Sequence, residues 1–248
     1  MRILTRQRVP ALAPSKLVCV SLVVLGAMRT FTMATSGDKR QVLLFAVANV
    51  FAVRFAVMLH LLVPRAVPWW EAACTGCGML LLPTIFIHLA KDAGTLRVSD
   101  AAALAIHLFG SVLNSASEWQ RWRWKRQPQN AGRLYVEGFF GIAKHINYTG
   151  EILTHLGWAL LSRHRVALIV PTFFALALCF AYAPDLQQYI RKRYGDDAQF
   201  ARWQATSDFM PDALWSWLLA LTLAWLVASL PTVSTVQVDV FGFAVESL

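Results

Sequence analysis

Val42-Leu43-Leu44-Phe45-Ala46-Val47-Ala48-Asn49-Val50-Phe51-Ala52-Val53-Arg54-Phe55-Ala56-Val57-Met58-Leu59-His60-Leu61-Leu62-Val63 is a run of 22 residues with one arginine and no acid. A run that long reaches across the roughly 30 Å hydrocarbon layer as a helix. In lipid a helix is favoured because it satisfies its own backbone hydrogen bonds. Comparable runs at about 17–34, 72–90, 101–117, 148–162, 166–183 and 212–231 give about seven expected spans, the fourth and fifth of them short. The fold expected is all-α, a polytopic transmembrane bundle.

Composition agrees with that reading. The 248 residues are 57% apolar and only 15% charged, and mean hydropathy is +0.49, whereas soluble domains carry about 25% charged residues. The net charge of +9 would raise nucleic acid as a partner of a soluble protein, but here the basic residues fall between spans. No nucleic-acid role is expected. Cys19, Cys74, Cys77 and Cys179 all sit in apolar segments and read as small buried hydrophobes. No metal site is expected. The basic N-terminus, with Arg2, Arg6, Arg8 and Lys16, precedes a segment that continues past Arg29 to Ala34, which reads as a first span rather than a cleaved leader.

With seven spans, fifteen loop lysines and arginines fall on one side and six, Lys39 and Arg40 among them, on the other. The positive-inside rule puts the N-terminus and the two most polar loops in the cytosol. Arg29 and Arg54 fall inside spans, where a charge faces a cavity or partner, or else snorkels. No repeat interrupts the chain. It reads as one integral membrane domain, 1–248, with residues 1–100 as N-terminal spans and 110–215 as a polar-rich C-terminal region.

Three polar segments carry the candidate chemistry. In Asn114-Ser115-Ala116-Ser117-Glu118-Trp119-Gln120-Arg121-Trp122-Arg123-Trp124-Lys125, continued helix puts Asn114, Glu118, Arg121 and Lys125 on one face. An amide, a carboxylate and two cations suit ribose hydroxyls and phosphates. The second segment is Gly138-Phe139-Phe140-Gly141-Ile142-Ala143-Lys144-His145-Ile146-Asn147-Tyr148-Thr149-Gly150-Glu151. Its glycines permit tight turns or close approach, His145 is a donor or general-acid candidate, and Asn147 and Tyr148 add an amide and a phenol. In the third segment Asp185, Tyr189 and Arg193 recur every four residues. Tyr194 follows, Gly195 is placed for a left-handed cap, and Phe200, Trp203 and Pro211 lie beyond.

As a set, these pieces resemble the C-terminal half of the membrane steroid and sterol reductases, which include the steroid 5-alpha-reductases. The shared pattern is Asn114…Ser117-Glu118…Lys125, Gly138-Phe139-Phe140, His145-x-Asn147-Tyr148-x-Gly150-Glu151, and Tyr189…Arg193-Tyr194-Gly195 through Pro211. Lys144 stands where an arginine is common. The resemblance implies a cytosol-open NADPH pocket in which Asn114, Glu118, Lys125, Asn147 and Tyr189 contact the cofactor; Arg121, Lys144, Glu151, Asp185, Arg193 and Tyr194, in the same three segments, are further cofactor-binding candidates. His145 and Tyr148 are the catalytic candidates there. Glu71 is the only glutamate before Glu118 and the acid candidate from the N-terminal half.

The implied activity is reduction of a carbon–carbon double bond in a steroid, sterol or other hydrophobic lipid entering from the bilayer. An endoplasmic reticulum membrane is the expected location. Isoprenylcysteine carboxyl methyltransferases and related enzymes, which bind S-adenosylmethionine, share much of this architecture. Ile146-Asn147 replaces their Pro-x step, however, and Pro184-Asp185 stands near their paired glutamates. A third expectation is a non-catalytic, lipid-binding relative.

Overall fold

A computed structural model describes residues 14–34, 38–62 and 67–206. Nine α-helices follow one another there: α1 (Pro14–Ala34), α2 (Lys39–Leu61), α3 (Trp69–Leu89), α4 (Val98–Lys125), α5 (Phe139–Ile142), α6 (Ile146–Ser162), α7 (Ile169–Leu176), α8 (Ala183–Tyr194) and α9 (Ala198–Thr206). No strand occurs among the described residues. The all-α membrane bundle expected from hydropathy is the architecture found. The expected span at 212–231 and the cap-proximal Pro211 lie outside the described residues.

Three described helices are long and apolar enough to cross a membrane: α2, α3, and a continuous run from Arg165 to Tyr194. Helices also occupy the expected positions of the first, fourth and fifth spans. Two boundaries differ from the sequence reading. The fourth helix begins at Val98 and continues to Lys125 rather than ending near 117, because its polar stripe is helical too. The sixth expected span runs beyond 183. Pro184 has no N–H to donate to the preceding turn, and residues 177–182 widen into a π-helical turn that carries the chain into α8.

The bundle packs around α4 and α6, which lie antiparallel in close contact. Cβ atoms built at Gly110, Gly150 and Gly157 would come within 2.4–2.5 Å of backbone nitrogens across the interface. Only glycine lets the two backbones approach this closely, as in other membrane helix pairs. Trp158, fully buried, then packs against Phe51 of α2 and Phe86 of α3. On the other side, α1 and α3 run parallel. The Cys19 thiol reaches the Ala72 carbonyl at 3.5 Å, and Leu22 lies over Gly76. Cys74 and Cys77 are exposed on the outer surface of α3, so they are not the buried residues expected.

Arg40 is not a loop charge. It is fully buried at the start of α2 and pairs in forked fashion with Asp100, at 2.7 and 2.8 Å. It also donates to the Leu161, Gly94 and Thr95 carbonyls. Asp100 in turn accepts the Arg97 amide at 2.6 Å, capping α4. One guanidinium thus joins α2, the α3–α4 loop, α4 and the end of α6. Opposite this clamp, the C-terminal ends of α2 and α4 meet the start of α6.

Candidate functional site

At that opposite end the helical stripe of α4 is realised. Asn114 and Glu118 are nearly buried and face the first turn of α6. The Asn114 amide donates to the Asn147 carbonyl at 2.8 Å, and the Asn147 amide donates to Glu118 Oε1 at 2.8 Å. Glu118 also takes a close contact from Arg121. The close approach at Gly150, whose Cβ would fall 2.5 Å from the Asn114 nitrogen, makes these short cross-helix bonds possible. The polar ladder therefore depends on the glycine packing one turn further into the membrane.

Arg54 enters the same ladder from α2. It donates to Asn114 Oδ1 at 3.2 Å, to the Ser111 carbonyl at 3.4 Å and to Glu151 at 3.3 Å, with its guanidinium carbon 4.8 Å from the Phe51 ring centre. The intramembrane arginine thus has partners rather than snorkelling. Hydropathy signalled it, since a charge within a span is costly without a partner. The identity of its partners was not readable, because they lie 57 to 97 residues away in the chain.

His145 precedes α6 and is almost fully buried. Burial, reinforced by the adjacent Lys144 charge, pushes its imidazole down to about 4. The neutral ring lies with Nε2 2.9 Å from the Gln187 amide of α8 and stacks on Tyr148 at 5.1 Å. Gln187 is a site residue the sequence did not single out. It falls off the Asp185–Tyr189–Arg193 stripe, and no spacing rule marked it.

The segment before His145 is held by Gln120, whose Oε1 accepts the Phe139 amide at 3.2 Å and lies near the Tyr135 hydroxyl at 3.5 Å. Gly138 has φ +56°, and a Cβ there would come within 2.4 Å of that same oxygen. The positive φ favours glycine at this turn, and a side chain there would also displace the Gln120 amide from the Phe139 N–H.

The outer cations form a rim. Lys125 contacts the Arg133 carbonyl and lies 3.4 Å from the Tyr194 hydroxyl, which brings the end of α4 to the end of α8. Lys144 donates to the Gln204 carbonyl of α9 at 2.9 Å, and Arg193 donates to the Tyr189 hydroxyl at 3.1 Å. Leu134, Phe200 and Trp203 pack beneath this rim, and the Trp203 indole donates to the Phe140 carbonyl at 2.8 Å. Asp185 is exposed in the first turn of α8. Gly195 has φ −63°, so it is not the left-handed cap expected.

The structure thus gathers Asn114, Glu118, Arg121, Asn147 and Glu151 into one bonded cluster, with His145, just before α6, and Tyr148, in its first turn, beside it. Lys125, Tyr189, Arg193 and Tyr194 stand at its rim. Glu71 is elsewhere. It lies in the first turn of α3, next to Ala72, whose carbonyl takes the Cys19 thiol of α1.

A family model described as "Protein of unknown function (DUF1295)" matches residues 73–207, which contain the whole of this cluster except Arg54. A Delta(14)-sterol reductase of Candida albicans is 28% identical over 109 residues, 42% of this chain and 24% of that protein. A probable O-methyltransferase of Ustilaginoidea virens is 30% identical over 107 residues, 42% of this chain and 38% of that protein. The chain therefore covers well under half the length of both curated relatives.

Proposed function

The chain belongs to the DUF1295 family, within the steroid 5-alpha-reductase-like membrane superfamily, and from that premise we propose that it is an NADPH-dependent reductase of a carbon–carbon double bond in a hydrophobic lipid such as a steroid or sterol. The observation that carries the proposal is the Asn114–Asn147–Glu118 ladder, a desolvated set of amides and a carboxylate at the mouth of the bundle. The sterol reductase among the relatives supports the same reading.

The donor set suits the cofactor. Asn114, Asn147, Glu118 and Glu151 offer the amide and carboxylate groups that recognise ribose hydroxyls and a carboxamide, and Arg121, Lys125, Lys144 and Arg193 supply cations for phosphates. Tyr189, Tyr194 and Asp185 would complete the rim. Bound there, NADPH supplies a hydride to one carbon of a polarised alkene.

With its ring neutral at pH 7 and Nε2 close to Gln187, His145 orients its surroundings rather than acting as a cationic acid. Tyr148, stacked on that ring, is the proton donor in this reading. Glu71, on the α1–α3 side, would act only on a substrate lying against α1 and α3. The basic bias of the loops at the ladder end supports a cytosolic mouth, and the likeness to a sterol reductase is what favours an endoplasmic reticulum membrane.

The O-methyltransferase among the relatives favours a second reading, methyl transfer from S-adenosylmethionine. One assay separates the two. Thermal unfolding of the detergent-purified protein is followed with NADPH, NADH or S-adenosylmethionine, where a ligand at 100 times its Kd adds about 2.7 kcal/mol. Stabilisation by NADPH, abolished in Asn147→Ala, is expected. A shift with S-adenosylmethionine alone would sink the reductase. NADPH binding without oxidation across a panel of enones and sterols would leave a lipid-binding relative.

A further inference from the structure

Cysteine is among the residue types most often buried, yet two of the four in this chain stand on the outer surface of α3. Cys74 and Cys77 are three residues apart, so both thiols project from one face of the helix. Trp70 lies one turn before Cys74 on that face, and Leu81 and Ile85 continue it deeper into the membrane. All three are exposed. Gly78, one turn beyond Cys74, has open space where a Cβ would stand. The other two thiols are placed differently. Cys19 is fully buried and donates to the Ala72 carbonyl at 3.5 Å, and Cys179 is half-buried in the π turn.

The depth of the exposed pair decides its chemistry. α3 starts at the ladder end of the bundle, because α2 finishes there and only the short loop 62–68 joins the two helices. Trp69 and Trp70, 61% and 68% exposed in the first turn of α3, stand as an interfacial aromatic belt does. Cys74 and Cys77 follow Trp70 by four and seven residues, about 6 and 10 Å along the axis. They therefore lie just under the headgroups, on the side for which the basic loops favour the cytosol. Juxtamembrane cysteines of this kind are acceptors for reversible S-acylation.

We propose that Cys74 and Cys77 are S-acylated from the cytosolic side, with a long-chain acyl-coenzyme A as the acyl donor. The cysteine sulfur attacks the thioester carbonyl carbon, a new carbon–sulfur bond forms, and the bond to coenzyme A breaks. The proton lost by the cysteine leaves on the coenzyme A thiol, and nothing is oxidised or reduced. The acyl chains then run over Gly78 and along Leu81 and Ile85, and they hold the start of α3 at the interface on the same side as the mouth of the site. The proposal rests on the cytosolic-mouth reading and is independent of which cofactor the ladder binds.

The test is acyl exchange on the full chain expressed in a eukaryotic cell, in a Cys179→Ser background that leaves three thiols. Free thiols are capped with N-ethylmaleimide in denaturant, and thioesters are then cleaved with hydroxylamine. Each thiol released is tagged with a polyethylene-glycol maleimide that adds one step on a gel. Two hydroxylamine-dependent steps are expected. Cys74→Ser and Cys77→Ser should each lose one, the double variant should lose both, and Cys19→Ser should keep both. Serine on an exposed face should leave the fold intact, which the elution profile of the detergent-solubilised protein checks. Should the double variant fail to fold, mass spectrometry of the peptide carrying Cys74 and Cys77 reads the acyl masses directly on the unmutated pair.

Absence of any hydroxylamine-dependent step, or steps that survive in the double variant, would overturn the proposal. A dithiothreitol-sensitive dimer lost in the double variant would overturn it in favour of a disulfide contact between copies. An asparagine-glycosylation acceptor fused to the N-terminus reads the side separately, because α1 and α3 start at the same end of the bundle. Glycosylation of that tag would overturn the cytosolic reading together with this one, whereas an unglycosylated tag without thioesters overturns this one alone. Two thioesters on a protein that NADPH does not stabilise would leave this proposal standing and remove the cofactor reading.

Discussion

His145 shows how one residue's surroundings set both its chemistry and its cost. Its folded value of about 4 lies below the unperturbed value of about 6.5, so between those limits the unfolded chain binds a proton that the folded protein does not. Stability should therefore be level above pH 7, fall as the pH drops below 6.5, and level off near 4. The loss from this group is about 3 kcal/mol. Thermal unfolding of the wild type and His145→Gln across that range checks it: the variant should lose this component of the slope, and superimposable profiles would contradict the assignment. The sequence marked His145 by the density of polar groups around it. It could not show that Gln187 sits against the ring, because that contact is made by a helix 42 residues away.

At the level of elements, the α4–α6 contact determines whether the ladder exists at all. A Cβ at Gly157 would meet the His107 nitrogen at 2.4 Å and the Ala103 carbonyl at 2.6 Å, both backbone atoms that cannot turn aside. Gly157→Ala should force the helices apart, costing about 1–3 kcal/mol or more, and chemical unfolding in detergent measures it. An unchanged midpoint would mean the pair can separate freely. Periodicity made Asn114, Glu118, Arg121 and Lys125 legible as one helix face, but not that Asn114 and Glu118 would face α6 while Lys125 reaches Arg133 and Tyr194. Helix ends were less legible. An apolar run ends where lipid contact ends, whereas α4 continues as a helix to Lys125 because its own backbone bonds persist. The sixth apolar run stops at 183, just before Pro184, yet the π turn at 177–182 carries the helix on into α8.

The whole bundle is held at two depths by arginines that a count of loop charges treats as topology or snorkelling. Removing the Arg40 partner, as in Asp100→Ala, leaves a buried cation unmatched and should cost about 3–5 kcal/mol. The measurement is the unfolding midpoint of Asp100→Ala against the wild type, and a loss of under 1 kcal/mol would mean that water reaches the clamp. Bundle class was readable because hydropathy reports burial in lipid. These pairings were not, because each partner is distant in sequence and close only after assembly. Arg40 and Arg54 lie fourteen residues apart on α2, about 21 Å along its axis, and each is tied to both α4 and α6. A rod pinned near both ends cannot slide like a piston, and it resists rolling because both pins leave it on the same side. Between them it can only bow, and any widening of the gap between α2 and α4 would come from side-chain rotation or from bending of the segment between the pins, not from displacement of the helix.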